Sequence, residues 1–445
     1  MTRYFLSSIF AVMFAFNASV AQPPSFITSK SQTFQLNNKP YYFIGTNYWY
    51  GSLLGLEKDK KRGINRLRKE LDFLKRNGVT NLRLMAGAEG AGMINGVMRV
   101  GPPLQPEQGK FDERALDGLD LLLAEMAKRD MKAVIFFSNN WEWSGGFQQY
   151  VDWNGLVPDE LNGRPLNWDE LRDMVARFYV CFECKASYMK QVRFVMDRTN
   201  TITKKKYVND ATIMAWELAN EPRPMRPGAR ERYVEWIHDV AAEIKSGDKN
   251  HLVTIGHEGS IGTEGMELFE RVHADPHIDY LTIHIWPKNW GWLADGSYLN
   301  KTVEYIDQHI AVAKRLNKPL VIEEFGLPRD PNNTRSGNTP SLQVLSSALT
   351  EGKNLSLDPS SSTALRDQYF RKIFSYIGNG PIAGANFWAF GGSARPIKQQ
   401  TYWKAGDEWI GDPPMEEQGL NTVFDIDWQT WNVIKAARRS IQRKL

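Results

Sequence analysis

The sequence predicts a (β/α)8 TIM barrel of the α/β class, built as a single domain with long loops on the carboxyl face of its sheet. Eight apolar runs of strand length are separated by helical patterns, and this alternation is typical of a parallel sheet. No repeat or linker divides the 445 residues, and barrels with long loops reach this length as one domain. Polar residues gather where several runs end, at the edge of a barrel that carries its chemistry.

The barrel is predicted to follow a short amino-terminal hairpin. Residues 26–29 and 33–36 are expected to pair, and a turn at 37–40 leads out of them. The eight barrel strands are predicted, in chain order, at 41–48, 79–85, 131–138, the run that begins at Ile213, 252–255, 278–286, 320–324 and 382–390.

Helical periodicity fills the intervals between the strands. Ile64, Leu67, Leu71 and Leu74 follow a 3-4-3 spacing, and Gly78 stands where the end of a helix favours glycine. Further helices are predicted at 116–126, 169–198, 231–244, 303–316, 364–377 and 428–443. Long loops are predicted at 139–167, which is rich in Trp and Gly, and at 326–363, which is rich in Pro, Asn and Ser.

Residues 1–21 have the organisation of a secretory signal peptide. Arg3 supplies the positive start, residues 4–16 the apolar core, and Ser19-Val20-Ala21 the small residues of a cleavage site. The apolar core is too short to span a bilayer. We therefore expect a catalytic barrel domain of residues 22–445 that is secreted, to the periplasm or outside the cell, and that does not bind a membrane.

Composition narrows the range of partners. The formal net charge is +4, and charges of both signs are interspersed, so no nucleic-acid-binding surface is predicted. The chain has 15 Trp residues, which a sugar-binding cleft could use, although Trp is also common in cores. No cluster of ligands suggests a metal. We expect a monomer with no cofactor.

Cys181 and Cys184 are the only cysteines, and they lie within a helical pattern. In an oxidising compartment such a pair can close a small disulfide, and the sequence does not decide whether it does. A redox motif would follow a strand, and a zinc site would need more ligands nearby, so both of those roles are disfavoured.

Two predicted strands end in glutamate. The run from Ile213 leads to Asn220, Glu221 and Pro222, and the seventh strand ends in Glu324. Because proline disfavours the helical region for the preceding residue, Glu221 is expected to have an extended backbone. Paired carboxylates suit glycoside hydrolysis, in which an acid of raised pKa protonates the leaving oxygen and a carboxylate attacks or stabilises the anomeric carbon.

Other polar and aromatic residues stand at the same ends of the predicted strands. One such residue would mean little in a barrel, but a ring of them needs a functional reason. The members are Arg83, Asn139, Asn140, Asn220, His257, Glu258, His284, Trp286 and Trp388.

Four motifs resemble those of glycoside hydrolase family 5 of clan A, and most closely those of its endo-β-1,4-mannanases. They are Trp-Glu-Leu-Ala-Asn-Glu-Pro-Arg at 216–223, His-Ile-Trp-Pro at 284–287, Glu-Phe-Gly at 324–326 and Asn-Phe-Trp at 386–388. Their order and spacing cover nearly all of the mature chain. The resemblance implies a retaining enzyme that hydrolyses internal bonds of mannan, glucomannan or galactomannan. An endo-β-1,4-glucanase of the same family is the alternative.

The resemblance also implies roles for individual residues. Glu221 would be the acid/base and Glu324 the nucleophile. Asn220 would bind the sugar 2-hydroxyl, and Arg83 would keep Glu324 ionised and oriented. His284 would help to set the proton of Glu221, and Trp388 would form the floor under the sugar that is cleaved.

One position departs from the family pattern. The family usually has Tyr two residues after the strand-6 histidine, where its phenol donates to the nucleophile, and here that residue is Trp286. An indole N–H can donate but cannot accept, which leaves its role open. Candidates for further sugar subsites are Trp141, Trp143, Trp290, Trp292, Trp403 and Trp409.

Several residues have alternative interpretations. Glu323 is the rival of Glu324, but adjacent strand residues face opposite sides, so only one of them is expected to meet Glu221, and the family motif favours Glu324. Glu217 shares parity with Glu221 and is interpreted as a member of an internal ion pair. His257 and Glu258 either line the cleft or form hydrogen bonds within their loop.

Two other functional classes fit the sequence less well. A carbohydrate-binding protein without activity would keep the aromatic residues but would not need both Glu221 and Glu324. A secreted protease or esterase would need a Ser or Cys nucleophile with His, and no Gly-x-Ser-x-Gly motif accompanies His284.

Overall fold

The barrel predicted from the sequence is confirmed in a computed structural model of the protein, which describes residues 25–329, 361–398 and 400–445. Within these residues, eight parallel strands form the central sheet. In chain order β1 to β8 are Phe43–Asn47, Asn81–Met85, Lys132–Phe136, Ile213–Glu217, Leu252–Thr254, Leu281–Ile285, Leu320–Phe325 and Ile382–Phe387. Because all are parallel, their carboxyl ends meet at one end of the barrel.

The strands pair in the order β5-β4-β3-β2-β1-β8-β7-β6. Individual hydrogen bonds close the cylinder between β5 and β6. The backbone N–H of Asp279 donates to the carbonyl of Val253 at 2.8 Å, and Thr254 Oγ1 donates to the carbonyl of Tyr280 at 2.9 Å.

Helices cover the outside of the barrel. Nine helices of the described residues, labelled α1 to α9 in chain order, are Lys60–Arg76, Glu113–Ala127, Trp168–Val180, Phe182–Met196, Arg230–Gly247, Met266–His273, Tyr298–Leu316, Ala364–Ser375 and Trp428–Gln442. Leu67, Leu71 and Leu74 are fully buried on one face of α1, as their spacing predicts.

The single helix predicted at 169–198 is wrong, because the chain leaves the helical conformation at Cys181. This residue has φ −83° and ψ 111° and ends α3. Its Sγ accepts a hydrogen bond from the backbone N–H of Cys184 at 3.0 Å, in the first turn of α4. The two cysteines form a disulfide, with Cα atoms 5.3 Å apart. Helical periodicity runs through both helices and does not reveal the break.

The amino-terminal hairpin is one strand larger than predicted. Thr28–Lys30, Thr33–Leu36 and Lys39–Tyr41 form a three-stranded antiparallel sheet. Its Phe34 packs with Phe43, Val134, Met214 and Val321 from four barrel strands, and its ring meets that of Tyr280 edge-on at 5.1 Å. This apolar cluster fills the amino-terminal end of the barrel interior.

The two predicted long loops differ in how much of them is described. The loop at 139–167 contains a helix, Gly146–Trp153, and two short 3-10 helices, Glu142–Ser144 and Asp159–Leu161. Most of the loop at 326–363 and the whole predicted signal peptide at 1–21 lie outside the described residues. Among the helices that are described, none is long and apolar enough to cross a membrane.

Candidate active site

Arg83, on β2, is the centre of a buried polar layer at the carboxyl end of the barrel. All five N–H groups of the guanidinium are used. Nε and Nη2 donate to Glu217 Oε2 and Oε1 at 2.9 and 2.5 Å, and Nη2 also donates to Asn220 Oδ1 at 2.7 Å. Nη1 donates to Asn47 Oδ1 at 3.0 Å and to Glu324. The two-pronged bond to Glu217 confirms the ion pair predicted for that residue and fixes the direction of the guanidinium.

Glu221 lies four residues beyond the end of β4, and the extended backbone predicted for it is wrong. Its φ is 51°, in the left-handed region that non-glycine residues seldom adopt. Pro222 favours the extended region for the residue before it, and the folded structure overrides that preference. The backbone N–H of Glu221 donates to the carbonyl of Gly256 at 2.8 Å, which ties this conformation to the neighbouring strand. Such residues cost about 1–3 kcal/mol and concentrate at functional sites.

The carboxyl of Glu221 hydrogen-bonds to neutral groups. Trp141 Nε1 donates to Oε2 at 2.6 Å, and His284 Nδ1 lies 2.7 Å from Oε1. Burial lowers the pKa of His284 well below its usual value, so the imidazole is neutral. Burial also raises the pKa of Glu221, against the lowering effects of the Arg223 charge and of the hydrogen bond from Trp141.

Glu324 lies within β7 and meets a cation. Its carboxyl accepts from Arg83, and its Oε2 is 3.4 Å from His284 Nδ1. Burial raises the pKa of Glu324, Arg83 lowers it, and Glu221 raises it. Two buried carboxyls that interact in this way share one proton. Because Arg83 bonds to Glu324 and no described cation bonds to Glu221, the charge belongs on Glu324 and the proton on Glu221.

Glu323 does not face away from the barrel interior, so the expectation from strand alternation is wrong. The register of β6 against β7 shifts at His284, which pairs with Glu324 and leaves Glu323 as the extra residue of a β-bulge. Both glutamates therefore point inward. Glu323 Oε2 is 3.8 Å from Arg83 Nε and 3.8 Å from His284 Nε2. Glu324 is the one that joins Glu221 and His284 in a single cluster.

Asn220 is held from two sides. Its Oδ1 accepts from Arg83, and its Nδ2 donates to Asn139 Oδ1 at 2.9 Å. An amide nitrogen has two hydrogens, so one N–H of Asn220 remains for a ligand. Asn139 is fixed in turn, because its Nδ2 donates to Ser144 Oγ at 3.1 Å.

Trp286 and Trp388 meet at the carboxyl ends of β6 and β8. Their ring centroids are 5.9 Å apart, with an angle of 78° between the planes. Hydrogen bonding from Trp286 lowers the pKa of Glu221, so this indole acts on Glu221. Gly326 makes room for the ring, since an added Cβ would lie 2.8 Å from Trp286 Cζ3.

The structure separates the remaining candidates. His257 is buried and bonds within the fold, with Nε2 2.6 Å from Tyr233 Oη and Nδ1 accepting from the Gly259 N–H at 3.1 Å. Glu258 binds Arg223 with both carboxylate oxygens. Trp143 is 2% exposed and belongs to the core. The pairs Trp290 with Trp292 and Trp403 with Trp409 pack on each other, at centroid distances of 4.8 and 4.2 Å.

Trp168 is a site residue that the sequence reasoning missed. Its side chain is 49% exposed, and its ring centroid lies 6.4 Å from that of Trp141, at an interplanar angle of 28°. The guanidinium of Arg223 faces both rings, at 5.2 and 5.6 Å. Asn167 and Glu170 form a capping box that begins α3 at Trp168. The Asn-x-x-Glu pattern was the available signal for that helix start.

Two groups of described residues have the spacing to hold a metal ion. Glu221, His284 and Glu324 place their donor atoms within 4.8 Å of one another, and so do His238, Asp275 and His277. In the second group, the two Asp275 carboxylate oxygens lie 2.7 and 3.0 Å from the two imidazoles. The first group contains Glu221 and Glu324, the two carboxylates that the sequence predicts to act as a pair.

Comparisons with known proteins identify the family of the chain. The family model described as β-mannosidase-like members of glycoside hydrolase family 5 matches residues 24–444. Mannan endo-1,4-beta-mannosidase 7 of Arabidopsis thaliana is 31% identical over 389 residues, which cover 82% of this chain and 77% of that protein. Mannan endo-1,4-beta-mannosidase 4 of Solanum lycopersicum is 29% identical over 380 residues, covering 82% and 83%.

A solved structure is similar over almost the whole chain. The glycoside hydrolase family 5 mannosidase of Rhizomucor miehei superposes with a TM-score of 0.79 and 31% identity, and the match covers 95% of this chain and 98% of that one. A variant of that mannosidase has been crystallised with mannosyl-fructose.

Proposed function

Because the chain belongs to the β-mannosidase-like group of glycoside hydrolase family 5, we propose that it is a secreted, retaining endo-β-1,4-mannanase that acts as a monomer. The proposed substrate is a β-mannan, glucomannan or galactomannan. Carboxylate-based glycoside hydrolysis needs no cofactor, and none is assigned.

The proposal rests on the different surroundings of the Glu221 and Glu324 carboxyls and on the short distance between them. Their donor atoms lie within 4.8 Å of each other in the cluster with His284. Retaining glycosidases have carboxyl groups about 5–5.5 Å apart, and inverting ones about 6.5–9.5 Å, which leaves room for a water. One oxygen of each carboxyl within 4.8 Å of the other is compatible with the retaining separation, and the mechanism that we propose is a double displacement.

In the first step, Glu221 donates its proton to the oxygen of the bond that breaks. Glu324, held as an anion by Arg83, attacks the anomeric carbon from the opposite face and forms a glycosyl-enzyme ester. The departing oligosaccharide leaves with the proton of Glu221. Trp388 would lie beneath the reacting sugar, and the free N–H of Asn220 would meet its 2-hydroxyl.

In the second step, the ionised Glu221 takes a proton from water, and the oxygen of that water attacks the same anomeric carbon. The ester bond to Glu324 breaks, the carboxylate returns to Arg83, and the product keeps its original β configuration. Activity should require Glu324 ionised and Glu221 protonated, so the pKa of Glu324 would set the acid limb of the pH profile and that of Glu221 the basic limb.

Mannose rather than glucose is proposed on the comparisons, since both plant relatives named above are mannan endo-1,4-beta-mannosidases. The two sugars differ in the orientation of the C2 hydroxyl, next to which Asn220 would lie. A buried polar group left unpaired by the wrong epimer costs about 1–3 kcal/mol, enough for roughly tenfold to hundredfold discrimination. The family alternative, an endo-β-1,4-glucanase, would reverse that preference.

A second candidate is an exo-acting β-mannosidase. It is favoured by the superposition, since the Rhizomucor miehei protein, with a TM-score of 0.79 and 31% identity, is a mannosidase. Internal cleavage is favoured by the cleft residues themselves, because the exposed Trp168 extends the aromatic surface beyond Trp141 and so beyond the reacting sugar.

Hydrolysis of polymers would test the substrate and the position of cleavage together. We expect the purified enzyme to lower the viscosity of galactomannan well before most reducing ends appear, with little action on carboxymethyl cellulose. Release of mannose alone, at unchanged viscosity, would replace the endo-acting proposal by the exo-acting one. Equal or faster hydrolysis of the cellulose derivative would overturn the mannan assignment. The anomer released, read by NMR in the first minutes, tests retention separately.

A further inference from the structure

Glu323 is a buried ionisable group that the proposed mechanism does not use. The β-bulge turns it into the polar layer beneath the reacting groups, where its side chain is 1% exposed. Its Oε2 has no hydrogen-bond partner, and neither does His284 Nε2. These two atoms are 3.8 Å apart. Buried polar groups without partners are rare, so two that face each other indicate one interaction.

The proton on Glu323 can be located from its other neighbour. Burial raises the pKa of Glu323 well above its usual value, and the charge of Glu217 and a hydrogen bond with the Glu217 carboxyl raise this pKa further. Two carboxyls can bond to each other only through a shared proton. Since Glu217 is bound by two N–H groups of Arg83, the proton belongs to Glu323 and points at Glu217. Oε2 of Glu323 is then left as an acceptor.

The neutral imidazole of His284 has one proton to place. On Nε2, that proton faces the acceptor oxygen of Glu323. Nδ1 then presents a lone pair to Glu221 Oε1, 2.7 Å away. On Nδ1, the proton would leave the Nε2 lone pair facing the Glu323 oxygen, and it would bond to the ionised form of Glu221.

We propose that Glu323 is a positioning residue that fixes the Nε2–H tautomer of His284, so that Nδ1 accepts the acid proton of Glu221. Every donor in the resulting chain points in one direction: Glu221 to His284, His284 to Glu323, and Glu323 to Glu217, which Arg83 holds. The inference rests on the acid/base role proposed for Glu221.

The arrangement serves both steps of the reaction. A hydrogen bond that is accepted from the protonated carboxyl favours the acid form of Glu221 and raises its pKa. For the first step, the Glu221 O–H leaves its hydrogen bond to Nδ1 and passes its proton to the leaving oxygen. The Nδ1 lone pair then faces a carboxylate, which makes Glu221 a stronger base for the attacking water. The charged and titratable groups facing His284 are Arg83 on β2, Glu221 and Arg223 beyond β4, His257 and Glu258 beyond β5, and Glu323 and Glu324 on β7.

Two substitutions distinguish a positioning role of Glu323 from a purely structural role. In Glu323→Gln, the amide oxygen can accept from His284 and the amide nitrogen can donate to Glu217, so the chain of donors survives. In Glu323→Leu, no acceptor faces Nε2, and the proton of His284 can move to Nδ1. That tautomer stabilises the Glu221 carboxylate, so the pKa of Glu221 falls and the basic limb of kcat/KM moves to lower pH.

We expect the basic limb to move down by about one pH unit or more in E323L, which corresponds to roughly 1.4 kcal/mol, and to stay in place in E323Q. Turnover of mannan above neutral pH should fall about tenfold or more in E323L. An aryl β-mannoside with a dinitrophenolate leaving group needs no protonation, so formation of the glycosyl-enzyme from it should change little. An unmoved basic limb in E323L, or equal losses on both substrates, would indicate a structural role only and overturn the proposal.

A measurement without substrate tests the tautomer of His284 directly. Long-range 1H–15N NMR of the wild-type enzyme reports which ring nitrogen of each histidine carries the proton, and His284→Asn identifies the signals of His284. We expect the Nε2–H tautomer in the wild-type enzyme and in E323Q. An Nδ1–H tautomer would overturn the inference, even where E323L does not fold. This result does not depend on which polysaccharide is hydrolysed, so a wrong substrate assignment would be recognised separately.

Discussion

The carboxyl ends of β4 and β7 present the same side chain in opposite ways. Glu324 lies inside its strand and accepts a hydrogen bond from the fully buried Arg83. Glu221 lies four residues past its strand, with a φ of 51°, and bonds to the indole of Trp141 and to a neutral imidazole. A cation stabilises the anionic form of one, and neutral partners leave the proton on the other.

The backbone at each strand end determines which surroundings the carboxyl meets. A residue within β7 is reached by Arg83, which projects into the barrel from β2. A residue that has left β4 in a left-handed turn is lifted out of that layer and into contact with the loop that carries Trp141. Two carboxyls whose surroundings push their pKa values apart are typical of an acid and a nucleophile.

The largest expected effect comes from removing each carboxyl in turn. Glu324→Ala should lower turnover by roughly four to six orders of magnitude, because no group replaces the proposed nucleophile. Azide should restore part of the activity on an aryl β-mannoside and give the inverted α-azide, since it occupies the vacated face. Glu221→Ala with azide should give the β-azide, because azide then attacks the glycosyl-enzyme from the other face. NMR of the azide products distinguishes the two.

Glu235→Ala is a matched control for the same chemistry, since this glutamate lies on the outside of the barrel, 51% exposed, and pairs with Arg232. It should turn over mannan at the wild-type rate with no response to azide. The α-azide from both active-site variants, or wild-type turnover by either, would refute the assignment of roles.

The positions of the two glutamates could be predicted from sequence because strand ends are marked by local pattern. Glu221 and Glu324 each follow an apolar run, and the eight runs fix their common edge. The direction of Glu323 could not be predicted, because a β-bulge depends on the register between two strands and not on the strand itself. The left-handed backbone of Glu221 could not be predicted for a related reason, since the extended conformation that Pro222 favours is a local preference and the contact with Gly256 is not local.

Contacts between residues that are far apart in the chain also could not be predicted from the sequence. Asn139 was recognised as a residue at a strand end, but its bond to Asn220 joins the loops after β3 and β4. Trp168 lies 27 residues after Trp141 in the chain, yet both rings flank Arg223. Such pairs follow from how neighbouring loops fold over the barrel, which no local pattern records.

A smaller effect is expected from a substitution at Gly326, which should change the surroundings of Glu221 and not those of Glu324. In Gly326→Ala, the new Cβ would lie 2.8 Å from Trp286 Cζ3, so the indole would have to move, and we expect its hydrogen bond to Glu221 to weaken. Overpacking of this kind costs about 1–3 kcal/mol of stability. Since the bond from Trp286 lowers the pKa of Glu221, its loss should move the basic limb of kcat/KM to higher pH and leave the acid limb, set by Glu324, unchanged.

Gly228→Ala is the control for this substitution, because an added Cβ there meets nothing within 4 Å and its φ is not in the left-handed region. It should match the wild-type enzyme in melting temperature and pH profile. A shift of the acid limb in G326A, or of both limbs together, would show that Trp286 serves Glu324, as the tyrosine of the family pattern does.

The smallest effect is expected from a substitution of Trp168, which would bind a sugar on the Glu221 side of the site. Trp141 contacts the proposed acid, Glu221, and Trp168 lies next to Trp141, so we expect a sugar on the exposed face of Trp168 to belong to the leaving group. Trp168→Ala should lower kcat/KM about threefold to tenfold on manno-oligosaccharides, for a stacking contribution of about 0.5–1.5 kcal/mol. An aryl mannoside without leaving-group sugars should react as before. Trp428→Ala removes an indole of similar exposure, 56% against 49%, at the start of α9, and should affect neither substrate. Equal losses of activity on the aryl mannoside and on the oligosaccharides in W168A would show that Trp168 acts on Glu221 through Trp141. A loss of the same size in W428A would show that the effect belongs to exposed aromatic surface in general.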